Sequence, residues 1–400
     1  MYVLLLTVLL LSFCLFCRRA EAAGASDETI AAYVEKHSDA MLKEWLEVMA
    51  IPGKSRQEQK RVSWFEAKFK EIGLDGVTVD DMGNVWGTMK GNPGKETIVI
   101  TGHMDSVFAN DTPLNPEIRD GWVYCPGAAD DVPAALALAW IKRGLDEMKV
   151  TPAANILFLA TVQEEVGLKG MKHFLANADK AGKRPDMVIA VDGQLGEVVT
   201  GGLGVDWYKV YANTPAGHTL KSMGKPSAVK SLALAITEAY KFQVEQEPQI
   251  FLNLGLIGGG TTENAICEEA WVTLDMRSTD AGALKKLEDK VFAAMEQAIT
   301  NSGATFRKEL IMDITAGQQV NPGGLKIVQA ALDSLQKLGY KDLPLKNTGA
   351  TDGNVSISMG IPTVSVGIVY GEGWHSLQER AKVDSFGVGM KQLLMMVNRL

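Results

Sequence analysis

The chain has 400 residues, of which 46% are hydrophobic and 22% are charged, and its formal net charge is −8. This length and apolar content suffice for a large core and favour two domains. Acidic and basic residues are interspersed without a Lys/Arg-rich segment, which argues against a nucleic-acid-binding surface. The composition therefore favours a globular protein whose partner is a small molecule.

The first 22 residues open with an apolar run and are predicted to be an export signal. The run ends at the sequence RRAEA, in which Ala20, Glu21 and Ala22 form an A-x-A cleavage pattern. Arg18 and Arg19 follow the apolar run instead of preceding it, so an uncleaved membrane anchor is the alternative. We expect an exported protein, periplasmic or secreted, or one that this segment holds at a membrane.

The next part of the chain shows helical patterns and then the strands of a parallel sheet. Apolar positions recur at helical spacing through residues 31–74, and residues 76–91 alternate like an edge hairpin. Four short apolar runs separated by helix-like segments follow, at residues 97–102, 155–162, 187–193 and 362–367. Such runs are typical of buried parallel strands in an α/β fold.

Residues 204–313 interrupt this pattern and are predicted to form a separate, inserted domain. Their order of strand, helix, strand, strand, helix and strand suits a small open α+β sheet with helices on one side. The parallel pattern resumes afterwards. The first domain is therefore expected to be discontinuous, comprising residues 23–203 and 314–400.

Acidic and histidine side chains follow the predicted parallel strands at their carboxyl ends, where ligands bind in open α/β sheets. They are His103, Asp105, Glu164, Glu165, Asp192 and His375, and Asp130 precedes a predicted helix. A Glu-Glu pair is usually exposed surface, and an Asp-Asp pair before a helix is usually a cap. Ordinary structural residues, however, have no reason to meet in one cleft, so their conjunction predicts a functional site.

Several carboxylates in one cleft repel one another unless a cation binds them. Imidazoles mixed with carboxylates, without thiolates, favour zinc over calcium or magnesium. Five or six candidate ligands indicate two ions that share a bridging carboxylate. Because adjacent residues of an extended segment point in opposite directions, one of Glu164 and Glu165 can bind metal while the other acts as a general base.

The motifs TGHMDSV, PGAADD, EEVGLKG and VDG, the segment from Gly258 to Arg277 and a terminal HSLQE resemble a family of dinuclear zinc hydrolases. This family includes peptidase T, carboxypeptidase G-type enzymes, aminoacylase, acetylornithine deacetylase and succinyl-diaminopimelate desuccinylase, and the chain is most similar to the peptidase T-like branch. The resemblance implies a catalytic domain with a mixed sheet sandwiched by helices. It also implies that residues 204–313 form an α+β open-sandwich lid that makes a homodimer.

The resemblance implies roles for the residues around the metals. Two Zn²⁺ ions, for which Co²⁺ or Mn²⁺ could substitute, would be bound by His103, Asp130, Glu165, Asp192 and His375. Asp130 would be the bridging ligand, followed by a cis peptide bond to Asp131. Glu164 would be the general base, and Asp105 would orient His103.

Further residues would act on the substrate. His218 of the inserted domain would help to polarise the scissile carbonyl, and we expect it to do so in the active site of the other subunit. Asn264 and Arg277 would contact substrate. Asn354 would contact it as well, at a position where several relatives carry an arginine for a substrate carboxylate.

The implied reaction is the hydrolysis of amide bonds in small peptides by a zinc-dependent di- or tripeptide exopeptidase. A metal-bound hydroxide would be the nucleophile, and Glu164 would pass its proton to the leaving amine. The alternatives are a deacylase of N-acyl amino acids and a catalytically inactive binding protein of the same fold. The second alternative is disfavoured because Glu164 and every metal ligand are present.

Overall fold

The computed structural model describes residues 24–92, 94–242 and 248–400. The export signal or anchor predicted at residues 1–22 lies outside the described residues. Within the described ranges, no helix combines the length and the apolar composition that a membrane span requires.

The helices and strands alternate along most of the chain. The helices are α1 (Asp27–Met49), α2 (Gln59–Glu71), α3 (Val132–Glu147), α4 (Lys169–Lys180), α5 (Ala228–Ala239), α6 (Ala281–Asn301), α7 (Lys326–Lys337), α8 (Gly353–Ser358) and α9 (Val383–Val397). The strands are β1 (Asp75–Val79), β2 (Val85–Met89), β3 (Thr97–His103), β4 (Glu117–Arg119), β5 (Trp122–Tyr124), β6 (Asn155–Thr161), β7 (Met187–Val191), β8 (Val198–Val199), β9 (Gly201–Gly202), β10 (Gly204–Asn213), β11 (Gly217–His218), β12 (Ile250–Gly259), β13 (Ala265–Ile266), β14 (Glu269–Ser278), β15 (Thr305–Ile314), β16 (Gly317–Gln318), β17 (Leu345–Lys346), β18 (Thr363–Val366), β19 (Gly371–Glu372) and β20 (Arg380–Lys382).

The larger domain is built on an eight-stranded mixed sheet of order β1-β2-β6-β3-β7-β18-β8-β17. Its central strands β6, β3, β7 and β18 are parallel, and the antiparallel hairpin of β1 and β2 forms one edge. Alternate residues of β3 enter different apolar clusters: Ile98 and Ile100 pack with α1, α3, α7 and α9, and Val99 packs with α4 and α8. Helices therefore cover both faces, which explains the nearly continuous apolar runs of the central strands and confirms the predicted α/β fold.

The second domain extends from β10 to β15 and contains a separate antiparallel sheet of order β12-β14-β10-β15. The buried positions of β14, such as Val272 and Leu274, share one apolar cluster with helices α5 and α6. The alternate positions, such as Asp275 and Arg277, remain partly exposed on the opposite face. The sheet is therefore open on one side, and its elements follow the order predicted for residues 204–313.

A close contact between α3 and β3 brings two chain segments of the larger domain together at the edge of the sheet. A Cβ atom on Gly102 would lie only 2.7 Å from the amide nitrogen of Ala135, so only glycine allows this approach. Asp131, directly before α3, accepts a hydrogen bond from the amide of His103 at 3.1 Å. The loop that carries Asp130 and Asp131 is thereby held beside the end of β3.

Candidate metal centre

The predicted site residues of the larger domain lie together at the carboxyl edge of the main sheet. His103 is the last residue of β3, Glu164 and Glu165 follow β6, and Asp192 follows β7. His375 lies in the loop that connects β19 and β20. Together with the loop before α3 that carries Asp130, five separate loops and strand ends contribute to one cluster.

The side chains form two groups that share one carboxylate. The ligand atoms of His103, Asp130 and Asp192 lie within 4.8 Å of one another, and so do those of Asp130, Glu165 and His375. One oxygen of Asp130 lies 3.0 Å from Nε2 of His103, and its other oxygen lies 2.9 Å from Nε2 of His375. Asp130 thus has the position expected of a bridging ligand, and the Asp130–Asp131 peptide bond is cis, as the resemblance predicts.

Burial makes this cluster costly to ionise without a cation. Burial and the nearby carboxylates raise the pKa of Asp192 to about 8, and burial together with Asp130 raises the pKa of Glu165. Hydrogen bonds to Asp130 and Glu165 raise the pKa of His375 to about 10. Divalent cations would compensate the carboxylate charges, and a set of imidazoles and carboxylates is a donor set that zinc accepts. The residues present therefore fit two zinc ions.

Asp105 fixes the surroundings of the cluster and is itself fully buried. Its Oδ1 lies 3.3 Å from Nδ1 of His103 and accepts a hydrogen bond from the Glu164 amide at 3.0 Å. Its Oδ2 accepts hydrogen bonds from the Ser55 hydroxyl at 2.7 Å and from the Glu165 amide at 3.3 Å. One carboxylate therefore lies beside the ring of His103 and holds the backbone of both glutamates, the position of a group that supports a metal site.

Glu164 lies at the edge of the cluster, beside His103. One of its oxygens lies 4.0 Å from Nε2 of His103, and the residue is 7% exposed. Burial, followed by the charges of Asp192 and Glu165, raises the pKa of Glu164 well above its ordinary value, although His103 opposes this shift. A carboxyl group with a raised pKa can hold and release a proton, as general acid and base catalysis requires.

Glu379 was missed by the sequence reasoning, although it ends the HSLQE motif. It is 1% exposed and accepts hydrogen bonds from the amides of Gly127 at 2.9 Å, Ala129 at 2.8 Å and Asp130 at 3.1 Å. These contacts position the backbone that carries the shared carboxylate. The signal that could have revealed it is its place four residues after His375, within a motif that the chain shares with zinc hydrolases.

Asp352, in the sequence TDG, was also not singled out. It is 4% exposed, and one of its oxygens accepts hydrogen bonds from the hydroxyls of Thr161 at 2.6 Å and Thr101 at 3.5 Å. These threonines lie on β6 and β3, the strands that end at the metal ligands. Asp352 therefore joins α8 to the strands beneath the cluster.

The predicted residues of the inserted domain lie in two different places. His218 on β11 pairs with Ala265 on β13, directly beside Asn264, and both His218 and Asn264 are exposed. Arg277 lies on β14, where its guanidinium forms a bidentate ion pair with Asp275, with two N–O distances of 2.9 Å. The structure thus brings His218 and Asn264 together and directs Arg277 to a carboxylate of its own strand.

Asn354, which was predicted to contact substrate, lies enclosed within the protein. Asn354 is 1% exposed, and its amide donates hydrogen bonds to the carbonyl groups of Leu203 at 3.0 Å and Thr315 at 3.1 Å. Its oxygen accepts a hydrogen bond from the Thr351 amide at 3.1 Å. Leu203 and Thr315 belong to the two connections between the domains, so Asn354 holds these connections together and its polar atoms are used within the protein.

Comparison with known proteins identifies the family. A profile of peptidase family M20/M25/M40 matches residues 99–399. The chain belongs to this family. Among family relatives, the uncharacterized protein YqjE of Bacillus subtilis (strain 168) is 26% identical to it over 366 residues, which are 86% of this chain and 94% of that protein.

Solved structures share the fold over nearly their whole length. A tripeptidase from Staphylococcus aureus subsp. aureus Mu50 aligns with a TM-score of 0.77 at 24% identity, covering 91% of this chain and 99% of that chain. The aminopeptidase PepT from Bacillus cereus ATCC 10987 aligns with a TM-score of 0.74 at 23% identity, covering 90% of this chain and 98% of that chain. The chain therefore has the fold of the M20 metallopeptidases, with candidate ligand groups for metal at its centre.

The contacts of Glu379 lead to a first prediction. Glu379→Gln would set an NH₂ group against backbone N–H donors, so the loop of Asp130 would shift. We expect the affinity for zinc to fall about 10- to 100-fold, the usual effect of losing a supporting group, as measured by titration against a competing chelator. Glu296→Gln, an exposed change on α6, is the control. Unchanged zinc affinity in Glu379→Gln would show that the loop does not depend on this carboxylate.

Proposed function

We propose that the protein is a zinc-dependent exopeptidase that hydrolyses amide bonds in di- and tripeptides. The observation that supports this proposal is the carboxylate of Asp130 shared by two ligand groups, with the buried Glu164 beside one of them. When bound, two zinc ions would polarise the scissile carbonyl and lower the pKa of water. The likeness of the fold to a tripeptidase and to an aminopeptidase supports small peptides as substrates.

Each side chain of the cluster has a separate task in this proposal. The ions would be held by His103 and Asp192 on one side, Glu165 and His375 on the other, and Asp130 between them. Glu164 removes a proton from the attacking water and delivers it to the leaving amine. Asp105 keeps the ring of His103 in one orientation and holds the backbone of Glu164, so the base and a ligand share one support.

A substrate panel tests the reaction. We expect release of free amino acids from di- and tripeptides, measured by chromatography, because the cluster can activate water against an amide bond. N-acetyl amino acids form the second arm, and preferential cleavage of these would identify a deacylase. Turnover of neither class by zinc-loaded protein would favour a binding protein of the same fold.

Metal removal and a change at Glu164 separate the roles of ion and base. Chelation should abolish activity, and zinc or cobalt should restore it. Glu164→Gln should retain two zinc ions per chain by elemental analysis while turnover falls about 10²- to 10⁴-fold, because a neutral amide cannot accept the proton. Glu296→Gln serves again as the matched control. Full activity in a demonstrably metal-free sample would contradict the proposal.

We also propose that the protein forms a homodimer in which His218 acts in the active site of the partner subunit. The His218 side chain is exposed, and its imidazole forms no hydrogen bond within residues 24–92, 94–242 and 248–400. Strand β12 is an edge of the lid sheet, and its Leu256 and Ile257 are 64% and 67% exposed. A second copy would cover this apolar edge in a two-fold dimer. An imidazole supplied across that interface could donate a hydrogen bond to the scissile carbonyl.

Mixing of inactive subunits tests this arrangement. Glu164→Ala and His218→Ala subunits should each be inactive alone, yet mixed dimers should regain activity, because one of their two centres has both groups intact. Activity is measured after exchange, and the exchange itself is verified with differently tagged subunits. Mixed dimers without activity would place His218 in its own subunit's site, and an active His218→Ala enzyme would remove it from the reaction.

A further inference from the structure

We infer that Lys54 and Arg56 bind a carboxylate of the peptide substrate and so determine which peptides the enzyme prefers. The inference rests on the proposed peptidase function and deepens it. Both residues line a cleft of 430 Å³ that reaches the ligand Glu165 on one side and Trp207 of the inserted domain on the other. A substrate whose scissile bond lies at the metal centre would therefore extend past these two cations.

The segment that carries these cations is fixed by the same groups that hold the metal centre. The Ser55 hydroxyl donates a hydrogen bond to Asp105 at 2.7 Å. The buried carboxylate of Glu58 accepts hydrogen bonds from the Arg56 amide at 2.8 Å and from the Gln163 amide at 3.2 Å. The backbone of residues 54–58 is thus tied both to Asp105 and to the loop of Glu164, so the two long side chains start from a fixed position beside the site.

The charges of Lys54 and Arg56 are available for a ligand. In the ion pairs formed among the described residues, neither side chain takes part. The one carboxylate that lines the cleft, that of Glu165, belongs to the metal cluster. Two cations without a protein partner, in a cleft partly shielded from water, suit charge-assisted hydrogen bonds to a carboxylate.

The other walls of the cleft are apolar and suggest that the substrate has an apolar side chain close to its carboxylate. Val107 and Val166 line the cleft from the larger domain, and Trp207, Ile311 and Met312 line it from the inserted domain. These surfaces suit an aliphatic or aromatic side chain. A peptide that ends in an apolar residue would place its side chain against these walls and its terminal carboxylate against the cations. The carboxylate that Lys54 and Arg56 bind could instead belong to an Asp or Glu side chain of the substrate.

Three substrates distinguish the two sources of the carboxylate. They are Gly-Leu, its C-terminal amide, and the amide of Gly-Glu. If the terminal carboxylate is bound, the KM of Gly-Leu should be about tenfold lower than that of both amides, since an exposed charge-assisted contact is worth roughly this factor. If a side-chain carboxylate is bound, the amide of Gly-Glu should have the lowest KM. Equal KM values for all three substrates would overturn the inference.

Variants show whether the two cations are responsible. Lys54→Gln and Arg56→Gln should each raise the KM of the preferred acid about tenfold, with kcat changed less than about twofold and with the KM of Gly-Leu amide unchanged. Lys60→Gln, an exposed change on α2 in the same region, is the matched control. Because Arg56 has a left-handed backbone with φ of 72°, Arg56→Asn, which tolerates this conformation, is the second variant at that position.

A binding measurement provides a readout that does not depend on turnover. Metal-loaded Glu164→Gln protein is titrated in a calorimeter with whichever of Gly-Leu and the amide of Gly-Glu has the lower KM, with and without Lys54→Gln, and we expect a roughly tenfold weaker affinity in the double variant. An equal affinity in both proteins would overturn the inference. If wild-type protein hydrolyses no peptide at all, the proposed function fails. If it hydrolyses peptides but the Lys54 and Arg56 variants have unchanged KM values, only the role given to these two residues is refuted.

Discussion

The contact of the Asp130 carboxylate with two imidazoles is the feature on which the rest of the site depends. Both of its oxygens are used, one toward His103 and one toward His375. Burial alone would raise the pKa of Asp130, but the hydrogen bonds from these two histidines lower it below its ordinary range. A carboxylate whose two oxygens face two different ligand groups can serve two cations at once. Three backbone amides donate hydrogen bonds to Glu379, and these contacts hold the backbone of Asp130 in place.

A second buried carboxylate, Asp105, connects this centre to the cleft. Through the hydroxyl of Ser55 and the amides of Glu164 and Glu165, it places the substrate-facing segment, the base and a ligand in one hydrogen-bonded unit. Supporting shells of this kind keep catalytic groups close to their productive positions. The segment with Lys54 and Arg56 is therefore hydrogen-bonded to the groups around the candidate metal centre.

The fold and the clustering of the candidate ligands could be predicted from the sequence because their signals are local. Continuous apolar runs mark the central strands, and His103, Glu165 and Asp192 follow such runs directly. Glu379 and Asp352 were not predicted as supporting residues because their partners are backbone and hydroxyl groups of distant segments, and a motif that contains the residue does not identify such partners. Arg277 was assigned to substrate by resemblance alone, and its ion pair with Asp275 depends on side chains two residues apart on one face of a strand.

The position of Asn354 shows why the cation for a carboxylate must be found elsewhere in this chain. A Cβ atom on Gly202 would lie 2.6 Å from Cγ of Asn354, so the backbone of the first connection packs directly against this amide. The amide also bonds to both connections between the domains. A long cationic side chain at 354 would displace these contacts and bury an unpaired charge, which is strongly unfavourable. A cation in the cleft therefore requires a different element, and residues 54–58 provide one that the metal centre already holds in place.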